Sequence, residues 1–262
     1  MKTCFFAIIS DLYYYNAGGH KFVNSFKRFH PYIDLIVYRQ DMIDHLIDYD
    51  LDVSRGSEYI DSQGNRKIPF FIAKAVFGKI LAKKYEKVVH VDGDTVIAGR
   101  LTEVLKDDWE IGGVWNYNDL ENASLKNVTE EMYIQCGMVG STKPRFWELW
   151  EEANIEAANY PRLENDTLNL MIYNHPEAKR MKLKIFDKEK DYYGCKSLGR
   201  EKEMYIENDE LMLRNEKVKA YHHAKGPTFP KLHFPTMGFK PEVVKWLEKI
   251  SDYGQSIKYG TL

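Results

Sequence analysis

The chain has 262 residues, of which 44% are hydrophobic and 14% aromatic, enough apolar material for one large core or two small ones. A formal net charge of −2 excludes the strongly basic balance of a nucleic-acid binder. No apolar run approaches the roughly 18 residues that a membrane helix requires, and the apolar opening MKTCFFAIIS runs straight into Asp11 without a cleavage-type end, so neither a membrane span nor a secretion signal is expected.

Cys4, Cys136 and Cys195 are odd in number and far apart, a pattern of free thiols in a reducing compartment, and a cytoplasmic location is expected. The sequons at Asn122, Asn127 and Asn165 carry little weight without a secretory route.

In chain order, Thr3 to Ser10 reads as a buried strand, followed by the turn-rich loop DLYYYNAGG from Asp11 to Gly19. Phe22, Val23, Phe26 and Phe29 recur at helical spacing, Pro31 ends that helix, and Ile33 to Tyr38 is a second short strand. Strand, loop, helix, strand is the opening of a parallel α/β sheet, whose ligands bind at the carboxyl ends of strands. Ser10, Asp11 and the tyrosines Tyr13, Tyr14 and Tyr15 therefore fall at a candidate ligand edge. Asp41 to Asp52 reads as a short acidic helix and loop, and Pro69 opens a helix running through Lys84 with Phe71, Ala75, Phe77, Gly78 and Leu81 inward. The lysines of that helix point outward except Lys74, which sits early enough to reach a phosphate.

Further strands are expected at Lys87 to Val91, Ile111 to Val114, Tyr133 to Val139, Lys182 to Phe186 and Val218 to Tyr221. Asn116 to Asn127 reads as a polar loop able to act as a lid. Helices are expected at Pro144 to Ala158, at Glu164 to Tyr173 and at Pro241 to Tyr253. Asp187 to Glu216 is charged and poorly patterned, and Ala224 to Pro235 is rich in Gly, Pro and Lys. No internal repeat or clean boundary divides the chain. One domain over 1–262 is expected, with a nucleotide-binding half (1–115), an acceptor and catalytic half (116–240) and a C-terminal helix and tail (241–262).

The run KVVHVDGDTVI organises these elements. A buried β-branched strand delivers Asp92 and Asp94 to the sheet edge, separated only by Gly93. Burying two acids side by side is costly, and a divalent cation bound by hard oxygen ligands explains it. Asp-x-Asp alone is a cheap motif. With 18 Asp in the chain roughly one is expected by chance, and three occur. The other two overlap in Asp48-Tyr49-Asp50-Leu51-Asp52, where Val53 and Tyr59 stand at the glycine and glutamate positions of a calcium loop, so that cluster reads as a solvated acidic loop. His222 and His223 end the last strand, before Gly226 and Lys231 in a loop expected at the same edge. Two Asp and a His form a sensible set for manganese, and lysines would offset the charge of a diphosphate. A metal-dependent enzyme acting on a nucleotide diphosphate follows from the residues.

The chain resembles the GT-A fold glycosyltransferases, most closely glycosyltransferase family 8, piecewise but in the right order. Tyr15 stands ten residues before Ser25, the family's spacing from its uracil-stacking tyrosine to a helix serine, with base recognition shifted to Ser10 or Asp11. KYEKVVHVDGDTVI is similar to the family's metal strand, YIQCGMVGS to its Asn-Ala-Gly segment with Gln135 replacing asparagine, and Glu164-Asn165-Asp166-Thr167-Leu168-Asn169 to its DQDxLN. His223-Ala224-Lys225-Gly226 is similar to its HxxG. The resemblance implies an α/β GT-A fold with a central, mostly parallel sheet flanked by helices. It also implies Mn2+ or Mg2+ as cofactor, a UDP-sugar donor, and a glycan or glycoconjugate acceptor. By the same resemblance Asp92, Asp94 and His223 bind metal. Asp92 also touches ribose, and Ser10, Asp11, Tyr15, Lys74, Gly226 and Lys231 hold the donor. Asn165, Asp166 and Gln135 lie nearest the reaction, which retains anomeric configuration. A sugar nucleotidyltransferase is the enzyme alternative, disfavoured because Gly18-Gly19 lack the basic glycine-rich loop of that class. A catalytically inactive nucleotide- or glycan-binding module is the other, and loss of metal-dependent UDP release on Asp94→Ala separates it from an enzyme.

Overall fold

The computed structural model describes residues 1–9, 14, 18–38, 59–60, 66–67, 70–115, 127–157, 164–186, 191–192, 200–222 and 233–252. The first half contains β1 (Thr3–Ile8), α1 (Gly19–Phe29), β2 (Asp34–Tyr38), the two-residue strands β3 (Tyr59–Ile60) and β4 (Arg66–Lys67), α2 (Phe70–Leu81), β5 (Lys87–Val91), β6 (Thr95–Ile97), α3 (Thr102–Lys106) and β7 (Ile111–Trp115). The second half contains β8 (Ile134–Ser141), α4 (Pro144–Ala157), α5 (Glu164–Asn174), β9 (Leu183–Phe186), β10 (Asp191–Tyr192), β11 (Met204–Glu207), β12 (Glu210–Leu213), β13 (Glu216–Val218), β14 (Ala220–His222) and α6 (Pro241–Ser251). Apart from the short acidic helix expected within Asp41 to Asp52, which lies outside the described residues, the expected helices and the strands of the main sheet are present within a few residues of their predicted ends.

The central sheet has six strands in the order β2-β1-β5-β8-β7-β9. Its neighbours run parallel except that β8 is antiparallel to both β5 and β7. This is the expected mixed, mostly parallel α/β sheet. The strand sequences are apolar on both faces, as strands covered on both sides must be. Along β1, Cys4, Phe6 and Ile8 enter one core with α2, α4 and α5, while Phe5, Ala7 and Ile9 enter another with α1. In the first core α2 lies against α4 so closely that a Cβ on Gly78 would sit 2.1 Å from the Trp147 indole. Glycine at this mid-helix position is a condition of the contact.

Lys87 is fully buried at the start of β5, and its ammonium donates to the carbonyls of Val104, Leu105 and Asp107 while lying over the Trp109 ring. A cation at carbonyls left free by the end of α3 satisfies both partners.

Of the stretch read as unpatterned between Asp187 and Glu216, the described residues 191–192 and 200–216 contribute instead to a four-stranded sheet, β10-β13-β12-β11. Met204, Leu211 and Leu213 bury against Val243, Trp246, Leu247 and Ile250 of α6. The hairpin β11–β12 turns at Asn208-Asp209, both at positive φ (52° and 59°), the left-handed pair that matches the strand twist. The last expected strand, Val218 to Tyr221, is divided at Lys219: Val218 ends β13, and β14 leaves to pair antiparallel with β6. Among the described residues no helix is long and apolar enough to cross a membrane.

Candidate active site

All five residues of β5 are buried. Side chains alternate along a strand, so His90 and Asp92 project to the same side. The chain then turns: Asp92 N–H donates to Gly137 O at 2.7 Å, and Thr95 N–H donates to Asp92 O at 3.1 Å. A Cβ at Gly93 would approach Ile9 to 2.7 Å, so only glycine lets the two acids follow one another against the end of β1. β6 starts at once and pairs with β14 in a register that sets Thr95 opposite His222.

That pairing brings together residues remote in sequence. His222 Nε2 lies 2.8 Å from Asp94 Oδ1 and 3.6 Å from Asp92 Oδ2. One potential ligand atom from each of Asp92, Asp94 and His222 falls within 4.8 Å of the others. Two carboxylates and an imidazole at this spacing could hold a divalent cation. The sequence expectation gave the histidine as His223, which lies outside the described residues; among those described, His222 is the one that reaches both acids.

Asp92 is shared. Its Oδ1 accepts from Lys74 Nζ at 2.9 Å, and His90 Nε2 stands 3.6 Å from the same oxygen. Burial pushes the Asp92 carboxyl up, but the Lys74 charge beside it outweighs burial and holds the group below the ordinary carboxylate range. Lys74 is only 1% exposed and also reaches Cys136 Sγ at 3.6 Å. It is thus the inward exception expected of α2, with Asp92 as its partner. His90, absent from the expected site, donates Nδ1–H to Cys136 O at 3.1 Å. Burial, then the Lys74 charge, lower its pKa to about 3 and keep the ring neutral. Its signal in the sequence was the period of two, which aligns residue 90 with residue 92.

The N-terminal end of β8 is fastened to α5. Asn165 and Asn169 are one helical turn apart and share a face. Asn165 Oδ1 accepts Cys136 N–H at 2.8 Å. Asn169 accepts Ile134 N–H at 2.8 Å and donates to Ile134 O at 2.6 Å and Asn165 O at 2.7 Å. Asp166 Oδ1 accepts from the Tyr133 hydroxyl at 2.6 Å. Gln135 Nε2 lies 2.7 Å from His222 Nδ1. Of the expected site residues, Lys74, Asp92, Asp94, Gln135, Asn165 and Asp166 are thus linked directly or through β8 and α5. Ser10, Asp11, Tyr15, Gly226 and Lys231 lie outside the described residues.

No family model matches the sequence, and no curated protein sequence matches it. Solved structures do. The bifunctional glycosyltransferase WbbM in its apo form aligns over 95% of this chain at 14% identity and a TM-score of 0.57, and this chain spans 49% of that one, about half its length. The galactosyltransferase LgtC, solved in complex with donor and acceptor sugar analogues, aligns over 97% of both chains at 10% identity and a TM-score of 0.54. Mouse xyloside xylosyltransferase 1 aligns over 85% of this chain and 98% of its own at 10% identity, with a TM-score of 0.49. At such identities the first two likenesses speak for architecture, and with the six-stranded sheet they establish a GT-A fold for this chain.

Proposed function

We propose that the protein is a metal-dependent glycosyltransferase that moves a sugar from a UDP-sugar to an acceptor hydroxyl on a glycan or glycoconjugate, with retention at the anomeric carbon. The observation that carries this reading is the convergence of Asp92, Asp94 and His222 at the carboxyl end of β5 in a GT-A fold. That LgtC was solved with donor and acceptor sugar analogues supports a sugar donor and a sugar acceptor here.

Asp92, Asp94 and a histidine, His222 by geometry or His223 by resemblance, would hold Mn2+ or Mg2+. The cation would supply Lewis acidity, neutralising the charge that develops on the departing diphosphate. Lys74 keeps Asp92 ionised and aimed. Tyr15 with Ser10 or Asp11 would seat the base, and Gly226 with Lys231 would cradle the diphosphate. Asp166, steadied by the Tyr133 hydroxyl, is the carboxylate proposed to attack or to stabilise positive charge at the anomeric carbon. Asn165 on α5 and Gln135 on β8 would lie near the sugar, with Gln135 hydrogen-bonding the sugar or the acceptor.

A panel of UDP-sugars with Mn2+, scored for binding and for donor hydrolysis, tests the reading. At least one donor should bind and release UDP, and Asp94→Ala should abolish release. Failure of every UDP-sugar to bind refutes the assignment, and a product of inverted linkage by NMR refutes retention.

A further inference from the structure

We propose that Gln135 is a positioning residue that sets the tautomer of His222, its side-chain amide turning over to match the imidazole when a divalent cation is taken. This rests on the reading of Asp92, Asp94 and His222 as a metal centre.

Three observations converge. First, the Gln135 amide and the His222 ring are both nearly inaccessible, 5% and 6% exposed, and Nε2 of the one lies 2.7 Å from Nδ1 of the other. Second, His222 Nε2 stands 2.8 Å from Asp94 Oδ1, a separation that puts the ring proton on Nε2, donating to the carboxylate. Nδ1 is then an acceptor, which agrees with the amide nitrogen facing it. Third, Gly137 keeps both groups in place: a Cβ there would lie 2.6 Å from His222 Cε1 and 2.7 Å from both terminal atoms of Gln135.

A histidine that ligates through Nε2 must present a lone pair there. In the neutral ring the proton leaves Nε2 and one is taken at Nδ1, with no change of charge. Nδ1–H then needs an acceptor. An amide offers one by a half-turn about its last torsion, which brings Oε1 to the place of Nε2. A neutral amide thus serves both tautomers, and outer partners of this kind orient ligand histidines and tune their basicity. The length of the residue matters too. Glutamine reaches His222 from β8, whereas asparagine at this position falls a methylene short.

The test uses the whole chain and two readouts independent of transfer activity. Mn2+ binding is followed by EPR for the wild type, Gln135→Met, Gln135→Glu and Asp94→Ala. Gln135→Met, similar in shape but without the hydrogen bond, should weaken binding about 10-fold or more. Gln135→Glu, a permanent acceptor for Nδ1–H, should bind at least as tightly as the wild type. In nitrogen-labelled protein, NMR should find His222 protonated at Nε2 without metal and at Nδ1 with diamagnetic Zn2+, and, in Gln135→Glu, at both nitrogens without metal and at Nδ1 alone with Zn2+. Wild-type affinity in Gln135→Met, or weaker binding in Gln135→Glu than in Gln135→Met, overturns the role of Gln135 while leaving the metal centre intact, provided Asp94→Ala still loses the ion. A wild type that binds no Mn2+ overturns both.

Discussion

Replacing Lys74 by methionine exposes what the lysine does. Its ammonium is 1% exposed and lies 2.9 Å from Asp92 Oδ1, and the Asp92 side chain keeps only 19% of its surface in solvent. Methionine fills nearly the same space, so packing changes little, but a buried carboxylate loses its cation. Breaking a buried pair from one side costs about 3–5 kcal/mol, and the partial exposure of Asp92 puts this case near 3. For a chain of this length each kcal/mol is worth roughly 2–3 °C, so Lys74→Met should lower Tm by about 6–9 °C in metal-free buffer. Asp92→Asn added to Lys74→Met removes the stranded charge and should restore most of the loss, about 2 kcal/mol read by urea unfolding. Lys74→Met within about 0.5 kcal/mol of the wild type, or no recovery with Asp92→Asn, would refute the assignment of Lys74 as the counter-charge that keeps Asp92 ionised.

His30, 5% exposed, has its pKa lowered from 6.5 to about 4 by burial and then by the Arg100 charge, and its Nε2 accepts Leu101 N–H. The unfolded chain therefore takes the proton first as pH falls from 6.5 towards 4, and stability is lost over that window. By pH 5 the loss reaches about 2 kcal/mol, and His30→Gln, which keeps an acceptor, should remove it when unfolding at pH 7 and pH 5 is compared. Asn169→Leu strands the buried N–H and C=O of Ile134; a loss of about 2–4 kcal/mol and faster hydrogen exchange at the Ile134 amide are expected.

The main sheet was legible because each of its strands is a short β-branched or aromatic run between breakers, and Asp92 and Asp94 stood out because acids follow such a run directly. Asn169 was legible from the motif it shares with Asp166, although its work on both polar groups of Ile134 shows only in three dimensions. The hairpin of β11 and β12 was hidden by charge. MYIE and ELML carry acids on the side away from α6, and the turn Asn208-Asp209 lies within the same charged run. The histidine depends on register: a slip of one residue turns a side chain to the other face of a strand. The sequence places two histidines together, and the pairing of Thr95 with His222 determines which described ring meets the acids. The pairing of Gln135 with His222 joins residues 87 apart, a proximity no local pattern encodes.

The antiparallel pairing of β6 with β14 also orders events in time. Asp92 and Asp94 lie in the first half of the chain, on a sheet whose β1, β2 and β5 can associate while later segments are still being made. His222 lies on β14, which follows the β11–β12–β13 meander in the chain and the residues that α6 packs against. Closing so long a loop is a slow, late step. On the proposed reading, a chain whose C-terminal half is unfolded offers two carboxylates without the imidazole of the cation site. Metal capture would then report that the C-terminal half has docked, and a divalent cation would stabilise the finished fold over its immediate precursor.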